Sequence, residues 1–165
     1  TLHSVMNDQP LIDGYHHADL LRTRSAMQSL IPVSTGLARG VQRLLPELAG
    51  RIEAKAIRVP VVNVSAIDLV ATLRRDTDRA AVQALLRDAS AGPGAGRMAY
   101  TDEPHASVDF NHSPHSAIVD GGQIRLVGGR LLNLLVWFDN EWGFANRMVE
   151  LAGHWARRMD APGAG

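Results

Sequence analysis

The chain contains no cysteine, so nothing within it can serve as a thiolate nucleophile, a thiolate zinc ligand or half of a disulfide. Its chemistry must come from other groups. Seven histidines invite a metal reading, with His16 and His17 adjacent and His112 close in sequence to His115. A zinc site needs three or four convergent ligands, and no His-Glu-x-x-His helix is present, so hydrogen-bonded or surface histidines are the better reading. Ser4 beside His3 is not a hydrolase signature, because sequence neighbours do not create the required geometry. The Gly92–Gly96 stretch is glycine-rich but follows a predicted helix, which makes it a poor phosphate loop. Ser34-Thr35-Gly36 stands ahead of an amphipathic pattern and places a hydroxyl near the N-cap, which reads as an ordinary helix cap.

These residues need elements to place them. A length of 165 residues suffices for one domain with a core. Composition is ordinary for a soluble globular protein, and a formal net charge of zero argues against a strong nucleic-acid or membrane-surface field. No apolar run reaches the ~20 residues of a membrane span, and Thr1-Leu2-His3-Ser4 lacks the basic and apolar pattern of a signal peptide. Residues 7 to 24 are polar without a sustained period and read as a long loop, of the kind that is usually functional or interface-forming. Leu37, Val41, Leu44, Leu45 and Leu48 share one helical face, closed by Gly50. Residues 52 to 59 and 63 to 74 read as strands broken by Pro60, with Ile67, Leu69 and Leu73 on one face of the second. Asp78 caps a helix whose stripe is Val82, Leu85, Leu86 and Ala89. Short strands are expected around 107 to 110, 116 to 120, 123 to 127 and 131 to 138, with a hairpin turn at Asp120-Gly121-Gly122. A final helix from Glu141 carries Phe144, Met148, Leu151, Ala152 and Trp155 on one face. The sum predicts an α+β domain with a mostly antiparallel sheet and helices on one face. No Gly-x-Gly-x-x-Gly turn follows a predicted strand, so a Rossmann dinucleotide-binding half is not expected within this sequence.

Three segments, in order, carry a resemblance. They are Thr1-Leu2-His3-Ser4-Val5-Met6-Asn7-Asp8-Gln9; the stretch from Arg22-Thr23-Arg24 through Gln28-Ser29-Leu30-Ile31-Pro32-Val33-Ser34-Thr35-Gly36 to Arg58-Val59-Pro60; and Trp137-Phe138-Asp139-Asn140-Glu141-Trp142-Gly143-Phe144-Ala145-Asn146-Arg147. Together the chain resembles the C-terminal, catalytic half of glyceraldehyde-3-phosphate dehydrogenases, over nearly its whole length. Met6, Asp8 and the run Asp109 to Asp120 are most similar to the erythrose-4-phosphate branch. Met6 stands where glycolytic members typically carry a phosphate-holding threonine, and the carboxylate of Asp8 repels phosphate.

The resemblance implies NAD-dependent oxidation of a sugar-phosphate aldehyde through a cysteine thioester. In the erythrose-4-phosphate branch, water then releases 4-phosphoerythronate on a route to pyridoxal phosphate. It implies that His3 is the catalytic base beside the thiol. Arg22 and Arg58 would bind phosphate, and Thr35 and Gly36 would supply a second phosphate contact. Asn140 would hydrogen-bond the nicotinamide carboxamide, and Phe144 would flank the ring or simply pack in the core. It further implies one substrate domain over 1–139 with an interface loop at 7–24, a helix at 140–159 that packs on an NAD-binding domain, and a disordered tail at 160–165. A cytoplasmic homo-oligomer, a tetramer in the family, is expected. The nucleophilic cysteine and most NAD contacts would lie upstream of these residues, so the isolated chain is expected not to turn over. A glycolytic dehydrogenase and a noncatalytic oligomerisation subunit are the competing readings.

Overall fold

The computed structural model describes residues 1–159, so the tail expected at 160–165 lies outside the described residues. The chain divides into two compact units that meet in sequence between Asp68 and Leu69.

The first unit is built on four short strands: β1 (Leu2–His3), β2 (Ile31–Val33), β3 (Ala56–Arg58) and the start of β4 (Ser65–Thr72). Their order is β2-β3-β1-β4, with β1 and β3 parallel and the other pairs antiparallel. The first two were not expected, because two or three residues are too few to show a period. Likewise the strands expected at 52 to 59 and 63 to 74 shrink to β3 and β4. The helix expected to run to Gly50 stops early: α1 is Leu37–Leu44, and a 3-10 turn follows at Pro46–Leu48. Proline has no N–H to continue the α ladder. Gly50, at φ +70°, ends that turn instead.

The loop from 7 to 24 is as irregular as expected but tied to itself. Ala26 N–H donates to Pro10 O at 2.7 Å, Gly14 N–H to Thr23 O at 2.8 Å, and Ser25 Oγ to Leu11 O at 2.6 Å. A 3-10 turn at Leu20–Thr23 is capped by Asp19, which accepts from Leu21 N–H at 2.9 Å. Leu11, Ile12, Tyr15 and Leu20 stay exposed on this loop.

The second unit holds the remainder of β4, then α2 (Arg79–Ala91), β5 (Met98–Thr101), β6 (Ala117–Asp120), β7 (Arg125–Val127), β8 (Leu131–Phe138) and α3 (Asn140–Met159). In its sheet β8 lies between β4 and β6, β5 pairs parallel with β6, and β7 pairs with β8. Val82 of α2 packs with Val119, Ile124, Leu132 and Leu134, the last two being alternate residues of β8 that share a face. Asp78 caps α2 as expected, accepting from Ala81 N–H at 2.8 Å. Leu85 does not join the buried stripe; it sits at the stripe's edge and is exposed, while Leu86 packs on the core.

Two turn expectations change. Residues 107 to 110 form a 3-10 turn, Ser107–Phe110, in which Asp109 accepts from Ala106 N–H at 2.8 Å. Asp120-Gly121-Gly122 makes no hairpin, since β6 and β7 both pair with β8; Asp120 caps a 3-10 turn by accepting from Gln123 N–H at 3.2 Å. The hairpin joins β7 to β8 through Gly128 and Gly129, at φ +58° and +69°, the two consecutive positive values that a type I′ turn requires.

Asp139, buried ahead of α3, accepts from Trp142 N–H at 3.0 Å and from His112 N–H at 2.9 Å. That makes Asp139 the N-cap of α3, whose first residue, Asn140, lies one position before the Glu141 start expected from the apolar spacing. Phe144, Met148, Leu151 and Trp155 are all exposed on this helix. Among the described residues no helix is long and apolar enough to cross a membrane. The class is α+β with a mostly antiparallel sheet, as expected.

Candidate functional site

His3 closes β1, and the parallel register sets it opposite Arg58 on β3, so the paired side chains leave the sheet on the same face. Its backbone is held on both sides. Val59 N–H donates to His3 O at 2.9 Å, and Ser4 N–H donates to Ser65 Oγ at 3.0 Å in a buried contact. Val64, immediately before Ser65, is buried at φ +66°, a strained value for a β-branched residue that persists only where packing over-determines it. The His3 ring lies with Nδ1 2.8 Å from Ser4 O. A carbonyl only accepts, so Nδ1 carries the proton and the basic lone pair of the neutral ring is on Nε2.

Arg58 is the most constrained cation of the first unit. Its Nη1 donates to Gln9 Oε1 at 2.7 Å and meets Asp8 Oδ1 at 2.8 Å, while Nη2 reaches Asp8 Oδ2 at 3.3 Å. The side chain is 15% exposed, so this fork holds Arg58 largely out of solvent. Arg22 is freer. It rides the 3-10 turn of the loop, half-exposed, with Nε 3.5 Å from Asp19 Oδ2.

Both arginines line one cavity of about 390 Å³, together with Asp8, Gln9, Asp19 and Ser34. That volume suits a small metabolite. Two guanidinium groups face two carboxylates there, so the cavity carries no excess formal charge. An anion entering it would meet Arg22 in competition with Asp19 and Arg58 in competition with Asp8.

The remaining site residues are placed as follows. Thr35 and Gly36 stand at the start of α1 and are not among the cavity's lining residues. The expected hydroxyl cap is spent locally, with Thr35 Oγ1 accepting from Leu37 N–H at 3.2 Å, and the N-cap itself is Gly36. Ser34, one position earlier, faces the cavity instead. Asn140 and Phe144 belong to the second unit: Asn140 is the first residue of α3, next to the buried cap Asp139, and Phe144 is 65% exposed. Sequence reasoning assigned no role to Gln9 or Asp19, which are single polar residues in an aperiodic loop with nothing in their spacing to mark them, and it read Ser34 only as part of a helix cap.

The first unit thus sets His3 in register with Arg58, and Arg58 and Arg22 line one polar cavity. Residues 1–140 match the family described as glyceraldehyde 3-phosphate dehydrogenase, C-terminal domain, and the chain belongs to that family. It is therefore a domain of an oxidoreductase family that is NAD-dependent in general.

Proposed function

We propose that this domain holds the phosphate end of an aldose phosphate between Arg22 and Arg58 and presents the aldehyde end toward His3, for NAD-dependent oxidation of D-erythrose 4-phosphate to 4-phosphoerythronate. The observation that carries the reading is the shared Arg22–Arg58 cavity, with His3 in register beside Arg58. His3 Nε2 accepts the proton that accompanies oxidation, and the Ser4 carbonyl orients the ring for it. Arg22 and Ser34 take phosphate oxygens, and Arg58 adds a second guanidinium as Asp8 yields. When bound, NAD supplies the hydride acceptor. The Asn140 amide offers the donor and acceptor that a nicotinamide carboxamide needs, and Phe144 offers an apolar face. Thr35 and Gly36 present backbone groups at the start of α1 for a second anion contact. The exposed apolar residues of the 7–24 loop support assembly as a homo-oligomer, in the cytoplasmic setting where pyridoxal phosphate precursors are made.

The choice of erythrose 4-phosphate over the glycolytic substrate rests on Met6 and Asp8. The Asp8 carboxylate already occupies the Arg58 fork, so free phosphate, which lacks the sugar's further contacts, displaces it less readily than erythrose 4-phosphate does, and water is left as the acyl acceptor. Asp8→Asn is expected to raise the affinity for inorganic phosphate about fivefold, the equivalent of ~1 kcal/mol for a partly exposed pair. Calorimetric titration of the chain with erythrose 4-phosphate, free erythrose and inorganic phosphate tests the proposal. Tightest binding is expected for erythrose 4-phosphate; free erythrose binding as well would remove the phosphate role of the cavity.

A further inference from the structure

Gln9 sits next to Asp8 in sequence yet is only 6% exposed, a rare fate for a polar side chain unless its bonds are filled. They are. Its Oε1 accepts from Arg58 Nη1 at 2.7 Å, and its Nε2 donates to Leu21 O at 2.9 Å and to Arg24 O at 2.7 Å. Those two carbonyls flank Arg22 and Thr23 in the 3-10 turn. One amide therefore binds the Arg58 guanidinium directly and, through the Leu21 and Arg24 carbonyls, brackets the turn that carries Arg22, at the wall of the cavity that both arginines line.

We propose that Gln9 is a positioning residue that sets the separation of the two guanidinium groups, and that this separation determines how well the cavity grips a phosphate monoester. The inference rests on the reading of the cavity as a sugar-phosphate site. Geometry favours an amide over other side chains here. A carboxylate keeps the acceptor for Arg58 but turns both carbonyl contacts into repulsions, while an apolar chain of equal length leaves Arg58 and both carbonyls without this partner.

The test is a double-mutant cycle on the full chain, reading the dissociation constant for erythrose 4-phosphate. Gln9→Met is expected to weaken binding about tenfold while the amide spectrum remains that of a folded protein. In an Arg22→Ala background the same change is expected to cost less than about twofold, because a spacing between two arginines has no value once one is gone. Equal losses in the two backgrounds, or wild-type affinity in Gln9→Met, would overturn the positioning role and leave the cavity reading standing. Failure of the wild-type chain to bind erythrose 4-phosphate would overturn both. Should Gln9→Met not fold, Gln9→Glu carries the same cycle, with the loss again expected to depend on Arg22.

Discussion

Arg58→Ala is expected to lower the affinity of the domain for erythrose 4-phosphate by about 100-fold. Two effects add. The variant removes charge-assisted bonds worth ~1.5–3 kcal/mol each, and it leaves the Asp8 carboxylate in the cavity without the cation that now faces it at 2.8 Å. An anion entering the variant therefore meets one guanidinium, from Arg22, and two carboxylates, from Asp8 and Asp19. A loss near 3 kcal/mol corresponds to about two decades in dissociation constant. Arg58→Lys restores the charge without the planar fork, and is expected to recover roughly one of those decades. Titration calorimetry on the three proteins reads the result. Binding by Arg58→Ala within threefold of wild type would mean that phosphate does not use this cavity.

The largest stability effect is expected in the second unit, at Gly121. This glycine is buried, and a Cβ built on it overlaps the Tyr100 hydroxyl and an Asp102 carboxylate oxygen. Tyr100 donates to Asp102 at 2.9 Å, Arg87 donates to the other Asp102 oxygen at 2.6 Å, and the Arg87 guanidinium stacks 4.9 Å from the Tyr100 ring centre. Arg79 and Gln83 donate to the Gly121 carbonyl at 3.3 and 3.2 Å, which ties the turn to α2. Gly121→Val must push Tyr100 off a core that it partly covers. Overpacking at this buried position costs about 3 kcal/mol, or roughly 6–12 °C in Tm for a chain of this size. The network also sets a pH signature. The hydrogen bond from Arg87, and then that from Tyr100, holds the Asp102 carboxyl below its ordinary range. Its contribution is therefore complete above the unfolded value and is lost as pH falls through the lower folded one. Burial, then the bond to Asp102, pushes the Tyr100 hydroxyl up, so its contribution is complete below the unfolded value and is lost as pH rises through the folded one. Melting curves across pH should show wild type losing stability at both extremes, and Gly121→Val, in which Tyr100 is displaced from the core and from Asp102, losing less at the alkaline end. Parallel pH curves for the two proteins would contradict this account.

Legibility in the sequence followed the strength of local signals. Asp78 at an N-cap, the helical spacing of Val82 and Leu86 and the apolar strand at 131 to 138 were readable because cap chemistry, spacing and apolar runs are local. Pro46 was in plain view, yet an apolar spacing through Leu48 masked the break that it makes in α1. The pair Gly128-Gly129 is the hairpin signal that was passed over in favour of Asp120-Gly121-Gly122; both dipeptides permit tight turns, and only long-range pairing with β8 decides between them. Within the site, His3, Arg22 and Arg58 were named through the family resemblance; residue type and spacing alone did not single them out. What the sequence does not encode locally is that Asp8 and Gln9 converge on Arg58 across about fifty intervening positions. The fork makes Arg58 a shared cation rather than an open one, and this changes what the cavity is expected to bind.

The central claim is that one cavity brings a phosphate between Arg22 and Arg58, beside His3. The most direct measurement is a nitrogen-15 NMR titration with erythrose 4-phosphate that follows the arginine side-chain Nε–H signals and the His3 ring nitrogens. The signals of Arg22, Arg58 and His3 should move together and saturate with one dissociation constant. Arg22 and Arg58 signals that stay fixed while the ligand binds and perturbs other residues would contradict the claim.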